Sequence, residues 1–327
     1  MYRSMNEVTH MSKPKIYIDG KEGTTGLQIY DRLADRDDIE LLLIDEDKRK
    51  DTAERKKLMN AADLVFLCLP DAAAVEAVEL VENPATRIID ASTAHRTAPG
   101  WVYGFPELGA DQREAIRTAK RVGNPGCYAT GFISLIAPLV RRGLLPPDAP
   151  LTCHAVSGYT GGGKKAIAQY EAAEREPELV SPRHYAVTLE HKHIAEMMKI
   201  SGLTRKPIFM PMICDFPQGM VVTVPLYLDM LAGNQSLDTL RAAYRDFYTG
   251  SRFVTVRPDD APACGFIGSN NLAGTNDLQI FVCGNEEQVM LAARLDNLGK
   301  GASGAAVQNM NIMLGLPEET GLIGQES

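Results

Sequence analysis

The sequence predicts an α/β fold in which a parallel sheet flanked by helices is joined to a second, α+β domain. In the first third of the chain, short apolar runs alternate with segments of helical pattern, which is typical of a parallel sheet with helical crossovers. A glycine-rich turn joins the first apolar run to the first helical segment. Residues 128 to about 295 mix strand-like and helical patterns, and this predicts the second domain.

Composition and charge exclude several classes of protein. The 327 residues are enough for two domains. The formal net charge of −8 gives no electrostatic reason to expect nucleic acid or an anionic membrane as a partner. No apolar run approaches the roughly 20 residues that a membrane span needs. We therefore expect neither nucleic acid nor a membrane as a partner.

The cysteines and the N-terminus favour a cytoplasmic location. Six cysteines, at positions 68, 127, 153, 214, 264 and 283, lie far apart and form no CxxC pair or metal-ligand spacing. Residues 1–12 lack the apolar core of a signal peptide and are expected to form a loose extension. Both observations predict free thiols in a reducing compartment.

The first strand and turn match a Rossmann-type pattern. The apolar run Lys15–Asp19 is followed by a G-x-x-G-x-x-G spacing and then by a helical pattern. Glycines let the backbone approach a pyrophosphate, and the start of the helix supplies N–H groups. The sequence therefore predicts a dinucleotide site, whose residues are Gly20, Gly23, Thr24, Thr25 and Gly26.

Three further strands and two helices complete the predicted parallel sheet. The strands are expected at residues 39–44, 64–69 and 87–90. Asp71 is expected to cap a helix over residues 72–81. Asp111 and Glu114 are expected to form a capping box for a helix over residues 111–119.

The end of the second strand leaves the choice between NAD and NADP open. Asp45 is suited to bond a ribose 2′-hydroxyl, which favours NAD. Lys48, Arg49 and Lys50 follow directly and are suited to a 2′-phosphate, which favours NADP. The basic run can also be a solvated surface, and we lean only slightly towards NADP.

Polar side chains follow the fourth strand, where ligands bind at the edge of a parallel sheet. Ser92 is therefore expected to contact the cofactor. Arg96 is a candidate for binding an anionic substrate group, because its guanidinium fork suits phosphate or carboxylate. A plain surface arginine is the alternative.

Cys127 is the candidate nucleophile. It follows a Pro-Gly break and precedes an apolar helical pattern over residues 132–140, so its thiol should lie in the first turn of a helix. Free N–H groups and the helix dipole favour the thiolate there, and the same groups can hold an oxyanion. We therefore expect a lowered pKa for Cys127. A buried packing cysteine is the alternative.

Seven motifs in order resemble one enzyme family. They are GKEGTTGLQI, DASTAHR, YGFPELG, GNPGCYAT, SGYTGGGKK, LEHKHIAE and NLGKGASGAAVQNMN, from residue 20 to residue 311. Together they resemble the short form of the N-acetyl-gamma-glutamyl-phosphate reductases of arginine biosynthesis. These enzymes are related to aspartate-semialdehyde and glyceraldehyde-3-phosphate dehydrogenases. The resemblance implies NADPH, an acyl-phosphate substrate, N-acetylglutamate 5-semialdehyde as product, and Cys127 as the nucleophile.

The resemblance also implies an acid/base in the H-[RK]-H-x-x-E motif. We favour His193 and keep His191 as a close second, because a thioester route needs proton movement near the sulfur. Glu196 follows His193 by three residues and could orient an imidazole at a helix start, and we also expect it to contact the substrate. The same three residues allow a zinc interpretation, which we disfavour because no further ligand cluster is nearby.

Two further substrate contacts are expected. The resemblance places Ser157 beside the substrate, at the start of a glycine-rich loop. By analogy with the related dehydrogenases, Asn124 could support the thioester oxygen. The run Gly161-Gly162-Gly163-Lys164-Lys165 departs from the family pattern, so its residues receive no individual assignment.

The predicted domains are discontinuous. Residues 13–126 and 296–327 are expected to bind the dinucleotide, because the resemblance implies that a C-terminal helix over residues 301–314 packs back on the first domain. Residues 127–295 are expected to carry catalysis and subunit contacts, in a homodimer or homotetramer. An aspartate-semialdehyde dehydrogenase-like reductase, a non-catalytic dinucleotide sensor and a cysteine hydrolase are the alternatives.

Overall fold

Two sheets organise the chain in a computed structural model that describes residues 12–258 and 265–324. The first sheet is built from the first third of the chain, and the second from residues after 150. The expected N-terminal extension, apart from Ser12, and Cys264 lie outside the described residues. Within the described ranges, no helix is long and apolar enough to cross a membrane.

The first sheet has six parallel strands in the order β2-β1-β3-β4-β6-β5. Its strands are β1 Lys15–Asp19, β2 Glu40–Leu42, β3 Leu64–Leu67, β4 Arg87–Asp90, β5 Val102–Tyr103 and β6 Arg121–Gly123. Its helices are α1 Thr24–Leu33, α2 Thr52–Ala61, α3 Asp71–Glu79 and α4 Ala110–Thr118. The predicted parallel sheet is confirmed, whereas α2 and the short strands β5 and β6 were not anticipated.

Two of the predicted helix caps are wrong. Helix α3 begins at Asp71 itself, with Pro70 at the N-cap, and the Asp71 carboxylate instead accepts hydrogen bonds from Thr93. Helix α4 has Gly109 at its N-cap and no side-chain cap, and Glu114 pairs with Arg117 one turn further on. In both cases the acidic side chain has another donor within reach, so a local sequence pattern does not decide its partner.

The second sheet has seven mixed strands in the order β11-β12-β13-β10-β7-β9-β8. Its strands are β7 Thr152–Gly158, β8 Arg183–His184, β9 Ile208–Cys214, β10 Met220–Tyr227, β11 Val254–Val256, β12 Leu278–Gly284 and β13 Gln288–Leu295. Its helices are α5 Cys127–Arg141, α6 Gly163–Tyr170, α7 Ile194–Ser201 and α8 Leu237–Phe247. The predicted α+β arrangement is confirmed, and the Ser236 side chain caps the N-terminus of α8.

Helix α5 is buried almost all round, which explains its nearly continuous apolar sequence. It packs against α7 and against strands β10 and β13. Gly131 permits this close approach, because a Cβ atom there would lie 2.5 Å from a methyl carbon of Val222. The start of α5 is therefore held at a fixed place between the two sheets.

The chain returns to the first sheet at its C-terminal end. A π-helical turn, Gly299–Ser303, leads into α9, Gly304–Leu314, and α9 packs against α1 and α4. The Lys300 ammonium in this turn is fully buried and lies 2.6 Å from both Glu107 Oε1 and Gln308 Oε1. One buried ion pair thus fastens the π-helical turn to the loop after β5.

We predict that Lys300→Met destabilises the protein by about 3–5 kcal/mol, because it leaves the Glu107 carboxylate buried and unpaired. Urea unfolding measures the change in the free energy of unfolding. The matched control is Lys56→Met, which removes the exposed Lys56–Glu82 pair and should change stability by no more than about 1 kcal/mol. Equal stabilities of the two variants would contradict a structural role for the buried pair.

Candidate active site

Helix α5 begins at Cys127, with Gly126 as its N-cap residue in an extended conformation. The predicted place of the thiol, in the first turn of a helix, is confirmed. Cys127 lines a cleft of about 220 Å³ between the two sheets. The residues around the cleft include Thr24, Thr25, Arg96, Asn124, Tyr128, Gly161, Tyr185, His191, His193 and Gly301.

The expected lowering of the Cys127 pKa is wrong. Burial raises the pKa of this thiol to about 11 and outweighs the backbone N–H of Tyr128 and the charge of Arg96, which both lower it. The nearby carboxylate of Glu196 also raises the pKa. The residue still keeps part of its surface open to the cleft. At neutral pH the sulfur is therefore protonated but accessible, and its activation needs a base.

His193 lines the same cleft as Cys127. It directly precedes α7 and is buried. A Cβ atom placed on Gly126 would lie 2.5 Å from His193 Nε2, so this nitrogen faces the turn that carries Cys127. Burial, and then the charge of Arg96, hold the pKa of His193 well below its usual value. The imidazole is therefore neutral at physiological pH and able to accept a proton.

His191 supports the turn that holds His193. Its Nδ1 accepts a hydrogen bond of 3.1 Å from the backbone N–H of His193, which places the proton of the neutral ring on Nε2. Burial lowers the pKa of His191 to about 4, so this ring is also neutral. Its centroid lies 4.7 Å from that of His193. In the described parts of the chain, no three His, Cys, Asp or Glu side chains gather as metal ligands.

Glu196 lies beneath the cleft and holds its floor together. Its Oε1 accepts a hydrogen bond from Arg96 Nη1 at 2.7 Å. Its Oε2 accepts from the Tyr103 hydroxyl at 2.8 Å and from the Gly126 N–H at 3.1 Å. His193 Nε2 is 3.9 Å from Oε1, which is too long for a hydrogen bond. Direct contact of Glu196 with substrate stays a prediction, and its three donors indicate a positioning role.

Arg96 brings a fixed positive charge to the cleft. Besides Glu196, it donates to the Ala91 carbonyl at 3.0 Å, and the side chain is nearly buried. Its Nε has no hydrogen-bond partner in the described structure. Because Glu196 balances the charge of this guanidinium, its unpartnered Nε is the donor that remains for an anionic ligand.

The other predicted contacts lie at different depths. Asn124 lines the cleft, and its amide donates to the Ala302 carbonyl at 2.9 Å. Ser92 instead donates to Asp90 at 2.6 Å, and its side chain is buried. Ser157 is also buried, at the end of β7. Ser92 and Ser157 therefore stay predictions as ligand contacts.

A second, larger cleft of about 690 Å³ begins at the predicted glycine-rich turn. Gly20 has φ +83°, and a Cβ atom there would collide with the Cys68 carbonyl oxygen. Gly26 allows the turn and α1 to pack closely, since a Cβ atom would meet the Gly20 carbonyl oxygen. Gly23 has no such constraint, since a Cβ atom there would meet nothing closer than 3.4 Å. The space beside Gly23 leaves room for a ligand to approach the backbone.

The arrangement of the two clefts fits a dinucleotide. Gly20 lines the larger cleft, while Thr24 and Thr25 line the smaller cleft that contains Cys127, so the turn lies between the two. Arg49 and Lys50 line the larger cleft near the end of β2. These basic side chains and the free N–H groups at the start of α1 are suited to phosphates.

The acidic and the basic candidates for binding the adenosine ribose lie at different places. Asp45 is exposed, does not line the larger cleft, and pairs with Lys48 at 3.0 Å. Arg49 and Lys50 do line it. The structure therefore brings part of the basic run to the cleft and leaves the acidic candidate outside it.

Several cleft residues were not anticipated from the sequence. Tyr128 and Tyr185 line the cleft beside the two histidines, with their ring centroids 6.3 Å apart. Gly301 packs directly on the cysteine, since a Cβ atom there would lie 2.7 Å from Cys127 Cβ. Tyr128 belongs to the motif GNPGCYAT and Gly301 to the motif NLGKGASGAAVQNMN, but a sequence motif does not show which atoms a residue contacts.

Comparison with known proteins gives consistent matches over the chain. A family model described as semialdehyde dehydrogenase, dimerisation domain, matches residues 127–297. A second, described as semialdehyde dehydrogenase, NAD binding domain, matches residues 43–119. Among solved structures, aspartate semialdehyde dehydrogenase II of Vibrio cholerae superposes with a TM-score of 0.71 at 12% identity, over 93% of this chain and 99% of the other. At that identity the likeness shows the fold alone.

Curated relatives are much closer in sequence. N-acetyl-gamma-glutamyl-phosphate reductase 2 of a Nostoc species is 51% identical over 322 residues, covering 95% of this chain and all of the relative. The reductase of the same name from Burkholderia cenocepacia is 49% identical, covering 93% of this chain and 98% of the relative. That from Brucella ovis is 51% identical, covering 93% and 99%.

The raised pKa of Cys127 predicts slow alkylation at neutral pH. The rate constant for iodoacetamide should rise about tenfold per pH unit from pH 7 and level off near pH 11, because the thiolate is the reacting form. Mass spectrometry of the labelled peptide over a pH series measures it. The Cys127→Ser chain supplies the background from the other cysteines. A plateau reached below about pH 8.5 would contradict the dominance of burial over the helix N-terminus.

Proposed function

This chain belongs to the N-acetyl-gamma-glutamyl-phosphate reductase family, and we propose that it reduces N-acetyl-gamma-glutamyl phosphate to N-acetylglutamate 5-semialdehyde with NADPH, releasing phosphate in arginine biosynthesis. One observation carries the proposal beyond the similarity itself. A helix-start cysteine, a neutral imidazole and a buried guanidinium line one cleft, and the turn beside it opens onto a second cleft that suits a dinucleotide.

The proposed reaction begins with transfer of the acyl group to Cys127. Neutral His193 takes the thiol proton, and the sulfur attacks the acyl carbon. The bond between that carbon and the phosphate oxygen breaks, and phosphate leaves with the bonding electrons and receives the proton from His193. Backbone N–H groups in the first turn of α5 stabilise the oxyanion that forms during the attack. The product on the enzyme is a thioester.

A dinucleotide held by the glycine-rich turn would supply the hydride that reduces the thioester carbon. The acyl oxygen would then carry a negative charge beside the N–H groups of α5, and as its double bond to carbon forms again the carbon–sulfur bond breaks and the aldehyde leaves. The Cys127 thiolate regains a proton from solvent through His193. Arg96 is the proposed site for an anionic group of the substrate. Glu196 keeps Arg96 and the Gly126 turn in place throughout. Asn124 and Ser157 are proposed as further substrate contacts.

NADP is the proposed cofactor form. Gly20, Gly23 and Gly26 would admit the pyrophosphate to the backbone, and Thr24, Thr25 and Ser92 are proposed as further cofactor contacts. Arg49 and Lys50 would bind the 2′-phosphate, a choice supported by their place in the larger cleft. The match to an NAD binding domain model supports a nicotinamide dinucleotide in general.

We further propose that residues 13–126 with 296–327 form the cofactor-binding domain, and residues 127–295 the catalytic and subunit-contact domain. The packing of α9 against α1 and α4 supports the return of the C-terminal segment. A homodimer or homotetramer is supported by the match to a dimerisation domain model and by exposed Tyr227 and Met290 on adjacent strands β10 and β13. Dependence on a free thiol suits a reducing cytoplasm.

The substrate is tested by running the reaction in the oxidative direction. With NADP and phosphate, N-acetylglutamate 5-semialdehyde should be oxidised far faster than aspartate semialdehyde. The Cys127→Ser chain should lose at least about 1,000-fold in kcat while its Kd for NADPH stays within about twofold, because the nucleophile does not hold the cofactor. Better turnover of the aspartyl compound would favour the related dehydrogenase activity. Substantial turnover by the serine variant would rule out the covalent route.

The two histidines are separated by matched asparagine variants. His193→Asn should lower kcat by roughly 10²–10⁴-fold, the usual effect of losing a general acid/base. His191→Asn should cost less than about tenfold, because an amide oxygen can accept the same backbone N–H. Steady-state kcat and its pH profile measure both. A larger loss for His191→Asn would reverse the assignment.

A further inference from the structure

The glycine-lysine run, residues 161–165, lies at the boundary between the two clefts. A short helical turn, Tyr159–Gly162, follows β7 and leads into α6 at Gly163. Gly161 and Gly163 line the catalytic cleft, whereas Lys164 lines the larger cleft. The turn between β7 and α6, which belongs to the domain of the second sheet, therefore borders both clefts.

Lys164 reaches a cleft that is otherwise built by the first sheet. Among the described residues, every other side chain around the larger cleft lies between Tyr17 and Ala73. Lys164 therefore comes from the opposite side of the domain boundary. Its side chain is exposed, so the ammonium can move to meet a ligand without breaking a packed core.

The ammonium of Lys164 has no partner among the described residues, whereas several of the basic side chains around it do. Within the described part of the chain, its ammonium has no ion pair or hydrogen bond. Arg55 is held by Asp19 at 2.7 Å, and Lys21 Nζ lies 3.3 Å above the ring of Tyr30. Because those neighbours already have partners, Lys164 is a cation of this cleft that remains available to an anion.

The surroundings of Lys164 indicate which anion it would meet. Gly163 has φ +74°, and a Cβ atom on it would lie 4.0 Å from Thr24 Oγ1. Residue 24 is the first of α1, so Lys164 follows a residue that adjoins the N-terminus of that helix. In a dinucleotide fold the pyrophosphate binds at this helix N-terminus, while the adenosine ribose lies at the end of the second strand.

We propose that Lys164 binds the pyrophosphate of the dinucleotide from across the domain boundary. The proposal rests on the dinucleotide chemistry of the proposed function. Lys50, near the end of β2, is the corresponding residue for the 2′-phosphate. Since the same turn carries Gly161 and Gly163, pyrophosphate binding by Lys164 also fixes one wall of the catalytic cleft.

Binding measurements on lysine variants test the proposal without using activity. Kd values for NADPH and for NADH are measured by titration calorimetry for the wild type, Lys164→Ala, Lys164→Arg and Lys165→Ala. Lys165 is the matched control, since it is also an exposed lysine but lines neither cleft. Lys164→Ala should weaken both dinucleotides by the same factor of about 5 to 10, the size expected for one charge-assisted contact. Lys164→Arg should restore most of the affinity, and Lys165→Ala should stay within about twofold.

Each of the other possible results of the binding measurements leads to a different conclusion. If Lys164→Ala weakens NADPH but not NADH, the lysine contacts the 2′-phosphate, and the pyrophosphate assignment is wrong. If Lys164→Ala and Lys165→Ala behave alike, Lys164 has no specific role. If the wild type binds neither dinucleotide, the proposed function itself fails, which a Lys164-specific failure would not do.

Discussion

The active cleft depends on a single buried carboxylate. Glu196 accepts hydrogen bonds from the loop after β4 through Arg96, from β5 through Tyr103, and from the turn before α5 through the Gly126 N–H. These donors come from three separate parts of the chain. A charge this deeply buried is tolerated only when donors satisfy both of its oxygens. The carboxylate therefore fixes the distance between the cation, the cysteine turn and the helix that follows His193.

Burial sets the protonation states around that carboxylate. It raises the pKa of Cys127 and lowers those of His191 and His193, so the thiol is protonated and both rings are neutral at neutral pH. Neutral side chains avoid the free-energy cost of a buried, unpaired charge. A thiolate formed at Cys127 would be stabilised by the charge of Arg96 and by the N–H groups at the start of α5, which both lower the pKa of this thiol.

The fold brings turns from both sheets to the boundary between the two clefts. The glycine-rich turn after β1 lies between the clefts, and the turn before α6 approaches it from the other sheet. The π-helical turn that follows β13 forms a further wall of the cleft that contains Cys127, where Gly301 packs on the cysteine. Its anchor is the buried Lys300–Glu107 pair, so the floor of the cleft is connected to the returning C-terminal helix.

The sequence by itself determined the alternation of strands and helices, the glycine turn and the cysteine at a helix start, because these depend on local periodicity and on the backbone freedom of single residues. The helix caps at Asp71 and Asp111, the short strands β5 and β6, and the sign of the Cys127 pKa shift were decided by tertiary structure. An acidic side chain at a helix start can bind a distant donor instead of capping the helix, and a strand of two or three residues is too short to show a period. The balance between a helix dipole and burial depends on how many protein atoms surround the sulfur, which only the folded chain specifies.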